Sequence, residues 1–206
     1  MFPFDVILFD VGGVLLTNGW DHRERAVVLA QFGLDVAEFE ARHTAPYAEW
    51  EIGAIPVNAY LDATVFYAPR GFTHEEFFAA MCAQTAALPN GGLGVLAELA
   101  ELNPCLLGAL NNEARETNEY RFKRFGLRNY FKVGLSSCYL GLRKPDEAIY
   151  RRALDILGRP AERVLFIDDR VGNAEAAAAT GLKTILFTGA DALRQDLVNL
   201  GVLETR

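Results

Sequence analysis

Four short stretches hold the residues whose chemistry is worth asking about. The first is Phe9-Asp10-Val11-Gly12-Gly13, where an apolar run ends in a carboxylate followed by two glycines. The others are Asn111-Asn112, the loop around Lys144, and Asp168-Asp169. Asp10 leaves a run too apolar to leave a charge without a role, because burying an unpaired carboxylate is expensive. Gly12-Gly13 permits a tight turn and a close approach of ligand to backbone. Taken alone, the first stretch fits equally well a plain strand ending in a turn. The others have plain readings too. Asp168-Asp169 can cap the helix that follows, Asn111-Asn112 can form a turn, and Lys144 can be a solvated surface lysine.

Gathered in one place, they describe a chemistry. Asp10, Asp168 and Asp169 would repel one another unless a cation sits between them. Carboxylate oxygens alone select a hard divalent ion, above all Mg²⁺. The amides of Asn111 and Asn112 and the ammonium of Lys144 supply donors. Donors beside a divalent cation make a phosphate site, in which an aspartate can act as nucleophile through an aspartyl-phosphate.

The elements that must position these groups follow from periodicity. Asp5–Asp10 reads as a strand buried on both faces, as in a parallel sheet. From Asp21 to Leu88 the pattern is helical. It predicts a helix from Glu24 to Phe32 ended by Gly33, and a short one from an Asp35 cap through Arg42. Pro56 starts another, and Thr73 with Glu76 forms the capping box of a fourth. After Pro89-Asn90-Gly91-Gly92 strands and helices alternate. Strands are expected at Cys105–Leu110, Phe131–Leu135, Arg163–Ile167 and Lys183–Phe187. Helices are expected at 94–102, 114–125, 146–157, 173–180 and 190–200. Alternation of this kind implies an α/β fold with a doubly wound parallel sheet. Ligands then bind beyond the carboxyl ends of the strands, where Asp10, Asn111-Asn112, the loop carrying Lys144, and Asp168-Asp169 all fall.

Composition narrows the field. A chain of 206 residues, 51% hydrophobic and 23% charged, can bury a real core and is not disordered. A net charge of -7 without a basic stripe argues against nucleic acid as partner. No apolar run reaches membrane-spanning length, and the N-terminus lacks the pattern of a secretory signal. Cys82, Cys105 and Cys138 are odd in number and form no CxxC pair, which suits reduced thiols in a cytoplasmic protein. His22, His43 and His74 show no ligand spacing and read as surface or capping residues. Trp20 and Trp50 read as core of the helical segment. Trp20, near the loop after Asp10, is also the better candidate for a substrate platform.

Four pieces occur together and in order: Phe9-Asp10-Val11-Gly12-Gly13-Val14-Leu15, Leu110-Asn111-Asn112, Gly141-Leu142-Arg143-Lys144-Pro145-Asp146, and Phe166-Ile167-Asp168-Asp169-Arg170-Val171-Gly172-Asn173. In this the chain resembles the haloacid dehalogenase-like (HAD) hydrolase superfamily. The helical insertion, with its turn Glu51-Ile52-Gly53-Ala54-Ile55, resembles the cap domain of the family's phosphatases. The resemblance implies a catalytic core of residues 1–17 and 89–206 and a cap of residues 18–88. It implies an Mg²⁺-dependent phosphatase of small phosphorylated metabolites. Asp10 would be nucleophile and metal ligand, and Gly12 would offer its carbonyl to the metal. Asn111 would bond the transferring phosphoryl with Asn112 beside it, and Lys144 would neutralise the Asp10–phosphate pair. Asp168 would bind the metal directly, Asp169 would bind it through water or orient other ligands, and Asn173 would brace the loop.

Two positions depart from the family pattern. Asn111 stands where Ser or Thr is usual, and still donates a hydrogen bond. Gly12 stands where a second aspartate usually protonates the leaving oxygen, a service worth roughly 10²- to 10⁴-fold. The alternatives are a metal-independent 2-haloacid dehalogenase, which has no need of Asp168-Asp169, and a non-catalytic protein that binds a phosphate ligand. A phosphomutase would need the missing acid. The glycine at position 12 predicts a preference for anomeric or acyl phosphates, whose leaving groups need less acid help. Equal turnover of glucose 1-phosphate and glucose 6-phosphate would count against that.

Overall fold

The computed structural model describes residues 2–205; Met1 and Arg206, at the ends of the expected core, lie outside it. Five strands form one parallel sheet: β1 (Val6–Phe9), β2 (Leu106–Ala109), β3 (Val133–Gly134), β4 (Val164–Asp168) and β5 (Lys183–Leu186). Their order is β3-β2-β1-β4-β5. Strand β1 is therefore central, with Phe9 level with Ala109 on one side and Ile167 on the other. The order reverses at β1, and that switch point is where the sheet opens a crevice for ligand.

Alternation along the strands explains the layers. Ile7, Phe9, Leu107, Ala109, Leu165 and Ile167 pack on one face. Helices α5 (Leu93–Leu102), α6 (Arg115–Arg124) and α10 (Ala190–Asn199) cover them. Val6, Leu8, Val164 and Phe166 pack on the other face, under α8 (Glu147–Leu157) and α9 (Val171–Ala179). A short helix, α7 (Ser137–Leu140), lies between β3 and α8. Strand β3 keeps only two residues of the run expected there.

The chain leaves this layer after Leu16 and returns beside itself. Thr17 N donates to Ala86 O at 2.9 Å, and Leu88 N to Leu15 O at 3.1 Å. Between them lie α1 (His22–Gln31), α2 (Val36–Glu51), α3 (Val57–Thr64) and α4 (His74–Ala83), which share a core of their own. The Asp35 cap and the Thr73–Glu76 capping box form as expected. Helix α2 does not stop at Arg42, however, but runs through Pro46 to Glu51. An interior proline costs about 3 kcal/mol, and packing outweighs it: Trp50 stacks on Tyr60 with ring centroids 4.6 Å apart. His43 is likewise not a surface or capping residue. It is buried, its Nδ1 is 2.8 Å from Tyr60 Oη, and burial drives its pKa down to about 4. No helix among the described residues is long and apolar enough to cross a membrane.

One carboxylate ties the helical segment to α6. Glu116 accepts from the Trp50 indole at 2.9 Å and from Val57 N at 3.0 Å. Glu116→Ala leaves both donors without that acceptor and should cost about 2 kcal/mol, read as a lower urea midpoint at unchanged m-value.

Candidate active site

The expected site residues meet beyond the carboxyl ends of β1, β2 and β4. Asp10 follows β1, and Asp168 closes β4. Lys144 comes from the loop after α7 and is almost completely buried. An ammonium has three donors, and this one uses all of them. It lies 3.0 Å from Asp10 Oδ2 and 2.6 Å from Asp168 Oδ2, and donates to Leu110 O at 3.0 Å.

Each carboxylate has its own support. Asp10 Oδ1 accepts from Val11 N at 2.7 Å. Asp168 Oδ1 accepts from Arg170 N at 2.8 Å, and the Asn173 amide lies 3.0 Å from both Asp168 oxygens. Asn173 therefore braces the loop as expected. Asp169 packs against Gly13, whose φ of +74° already suits glycine; a Cβ there would collide with the carboxylate. Asp169 Oδ1 is buried with no hydrogen-bond partner among the described residues.

One ammonium does not balance three carboxylates. Burial pushes Asp10 up to about 7 against the pull of Lys144. Burial and the neighbouring Asp168 also raise Asp169. Suitable oxygens of Asp10, Asp168 and Asp169 lie within 4.8 Å of one another. A hard cation would relieve this crowding and satisfy the orphaned Asp169 oxygen, so the residues present fit one.

A polar cleft of about 70 Å³ reaches Asp10, lined also by Gly12, Asn112 and Lys144 together with Asn18, Tyr47, Glu51, Arg121, Arg170 and Asn173. A larger groove of about 330 Å³ runs beside β3 and includes none of the carboxylates. Tyr47 and Glu51 reach the cleft from α2. Burial raises Glu51, while Arg143, 3.2 Å away, pulls it back.

Three expectations need correction. Trp20 does not line this cleft. It is buried in the helical segment, its indole donating to Tyr60 Oη at 2.8 Å and its ring edge-on to Phe39 and Phe77. Asn111 does not offer its amide to the cleft either: Nδ2 donates to Asn118 Oδ1 at 3.0 Å, and Oδ1 accepts from Ser136 Oγ at 2.8 Å. Asn112 does line the cleft, but its amide clasps the Lys144 backbone, donating to Lys144 O at 2.9 Å and accepting from Lys144 N at 2.8 Å. Both asparagines position the site. The sequence reading missed Glu113 and Arg121, which pair in the interior. The i, i+4 spacing of Glu113, Thr117 and Arg121 is the only signal in the sequence; that this face is buried is seen only in the structure.

Comparison with known proteins identifies the family and the fold. A family model for haloacid dehalogenase-like hydrolases matches residues 4–181. The chain belongs to that family. Flavin mononucleotide hydrolase 1 of Arabidopsis thaliana is 28% identical over 198 residues, 96% of this chain and 78% of that protein. The drimenol cyclase drtB of Aspergillus calidoustus is 36% identical over 64 residues, so the match spans only 12% of its length. A HAD family enzyme from Bacteroides thetaiotaomicron, solved with magnesium and inorganic phosphate, shares the fold at TM-score 0.78 and 20% identity, covering 90% of this chain and 95% of that one. The HAD-like hydrolase described here thus carries the family's fold around its own polar cleft.

Lys144→Met should cost about 3–5 kcal/mol, since it strands two buried carboxylates. Without the ammonium, Asp10, already raised by burial to about 7, loses the charge that pulls it down and rises further above its unfolded value. The loss is therefore full at high pH and shrinks as pH falls through that raised value. Urea unfolding of variant and wild type at about pH 8 and about pH 5.5 reads the difference.

Proposed function

We propose that this hydrolase is a phosphatase of small phosphorylated metabolites, dependent on Mg²⁺ and working through an aspartyl-phosphate on Asp10. The observation that carries the reading is a lysine-held carboxylate, Asp10, that lines a small polar cleft and has two further carboxylates close behind it. The magnesium and phosphate held by the Bacteroides thetaiotaomicron enzyme support it, as does the phosphate ester named for the Arabidopsis thaliana relative.

Asp10, Asp168 and Asp169, with the Gly12 carbonyl, would hold the cation, which when bound neutralises charge on the phosphoryl oxygens. The chain's own residues do the rest. Lys144 aims Asp10 and pulls against the burial that favours its neutral form. An Asp10 oxygen attacks phosphorus, and the bond to the leaving oxygen breaks. Water then attacks the aspartyl-phosphate, freeing Asp10 and releasing dihydrogen phosphate. Positioning and charge neutralisation carry most of such a reaction.

Residues 1–17 and 89–206 form the catalytic core in this reading, and residues 18–88 a cap that sends Tyr47 and Glu51 into the cleft. A polar space of about 70 Å³ suits a phosphoryl group with a small hydroxylated remainder. The free thiols Cys82, Cys105 and Cys138 suit the reducing cytoplasm.

The test is phosphate release from a panel of phosphorylated metabolites, with Mg²⁺ and with excess chelator. Chelator should abolish turnover, and Asp10→Asn should lower it by roughly 10³-fold or more. Activity surviving Asp10→Asn, or chloride release from chloroacetate without metal, would overturn the assignment.

A further inference from the structure

Position 12 is where the family resemblance places a proton donor, and here it holds no side chain. The surroundings of Gly12 show what fills the space. A Cβ there would lie 3.1 Å from Asn18 Oδ1 and 3.8 Å from Arg121 Nη1. The φ of Gly12 is not in the left-handed region, so the backbone does not demand glycine. A side chain at position 12 would project straight into the ground held by Asn18 and the Arg121 guanidinium.

That guanidinium is built into place. Arg121 is 2% exposed yet lines the cleft that contains Asp10 and Lys144. Its Nη2 donates to Thr17 O at 2.5 Å. Its Nη1 pairs with Glu113, which accepts in turn from Thr117 Oγ1 at 2.7 Å. Gly19, with φ of +76°, lets the guanidinium lie against the loop; a Cβ there would sit 3.2 Å from Nη1. Nε is buried without a hydrogen-bond partner among the described residues. So much ordering around a cation that retains donor capacity is more than a structural ion pair requires.

We propose that Arg121 replaces the absent acid, stabilising the leaving oxygen by charge where an aspartate would protonate it. The inference rests on the phosphatase reading above. An arginine does not give up its proton at any working pH. The step is written accordingly. As Asp10 bonds to phosphorus, the electron pair of the breaking P–O bond stays on the leaving oxygen. That oxyanion is met by the guanidinium and takes its proton from water on release. The hydroxide so formed is neutralised by the dihydrogen phosphate that leaves in the second step.

A fixed cation and a proton donor differ in how they respond to the leaving group. Acetyl phosphate, p-nitrophenyl phosphate, phenyl phosphate and glycerol phosphate share one phosphoryl group and span a wide range of leaving-group basicity. They are to be compared, with Mg²⁺, for wild type, Arg121→Lys and the double variant Arg121→Met/Glu113→Gln, which leaves no buried charge alone. The double variant should lose about 10²-fold in kcat/KM on phenyl and glycerol phosphates and stay within about threefold of wild type on acetyl phosphate. Arg121→Lys should recover part of the loss. Near-UV circular dichroism checks that each variant is folded.

The wild type alone gives a second readout, independent of whether the double variant folds. Asp10, Tyr47, Glu51 and Lys144 are titratable groups lining the cleft with Arg121, and Glu113 pairs with it. Groups common to both reactions cancel in the ratio of phenyl to acetyl phosphate turnover. With Arg121 in the role, that ratio stays flat between about pH 6 and about pH 9. A ratio that falls as pH rises would assign the role to a titrating acid and overturn the proposal. So would an equal loss on all four substrates by a folded double variant. Wild type that turns over none of the four would overturn both this proposal and the phosphatase reading.

Discussion

The Lys144 ammonium is the interaction on which the rest of the site depends. It touches Asp10 at the end of β1, Leu110 O at the end of β2, and Asp168 at the end of β4. Three strand ends are thereby held by one charge whose donors are all spent. The loop that brings it there is itself held, because Asn112 binds both the N–H and the carbonyl of Lys144. Burying an ion pair repays its desolvation only when the geometry is good and the remaining donors and acceptors are satisfied. Here Asn173, Arg170 N and Val11 N complete the shell. The arrangement serves function more than stability, since an apolar trio of similar volume would fold as well.

The same ammonium leaves a deficit of positive charge. Asp10 and Asp169 are both pushed up by burial, and one Asp169 oxygen has no partner among the described residues. A site at equilibrium with water alone would not crowd carboxylates in this way. The crowded carboxylates fit a hard cation, as the proposed reaction requires. The same cleft also holds cations. Arg121, paired with Glu113, and Arg170 line the cleft with Asn18, and in the proposed reaction their N–H groups would face a departing anion.

Much of this was legible from residue order. Valines, leucines and phenylalanines in four- or five-residue runs specify strands buried on both faces, and alternation with amphipathic segments specifies a parallel sheet. Strand-end residues then fall at one edge because parallel strands all point the same way. Asp10, Lys144, Asp168 and Asp169 could therefore be placed together before any coordinates. Asn111 and Asn112 illustrate the limit. Their position at a strand end was evident, but the partners of a buried amide are set by whatever packs beside it, and Ser136 and the Lys144 backbone are distant in sequence. Helix α2 makes the same point for local structure. Pro46 argues against a helix running to Glu51, and only the stack of Trp50 on Tyr60 reverses that preference.

By itself, then, the sequence determined the α/β class, the order of strands and helices, and which carboxylates and which lysine gather at the sheet edge. These depend on periodicity and chain direction, which are local properties. The tertiary structure alone decided how that edge is used. It turned Trp20 inward to Tyr60, spent the amides of Asn111 and Asn112 on positioning, and brought Tyr47 and Glu51 over the nucleophile. It also set Arg121 opposite the empty position at Gly12. The physical reason is that charge pairing, burial and hydrogen-bond saturation are settled between residues far apart in the chain. Arg121 and Thr17 are 104 positions apart, and Lys144 and Leu110 are 34. No periodicity records such pairings; only packing does.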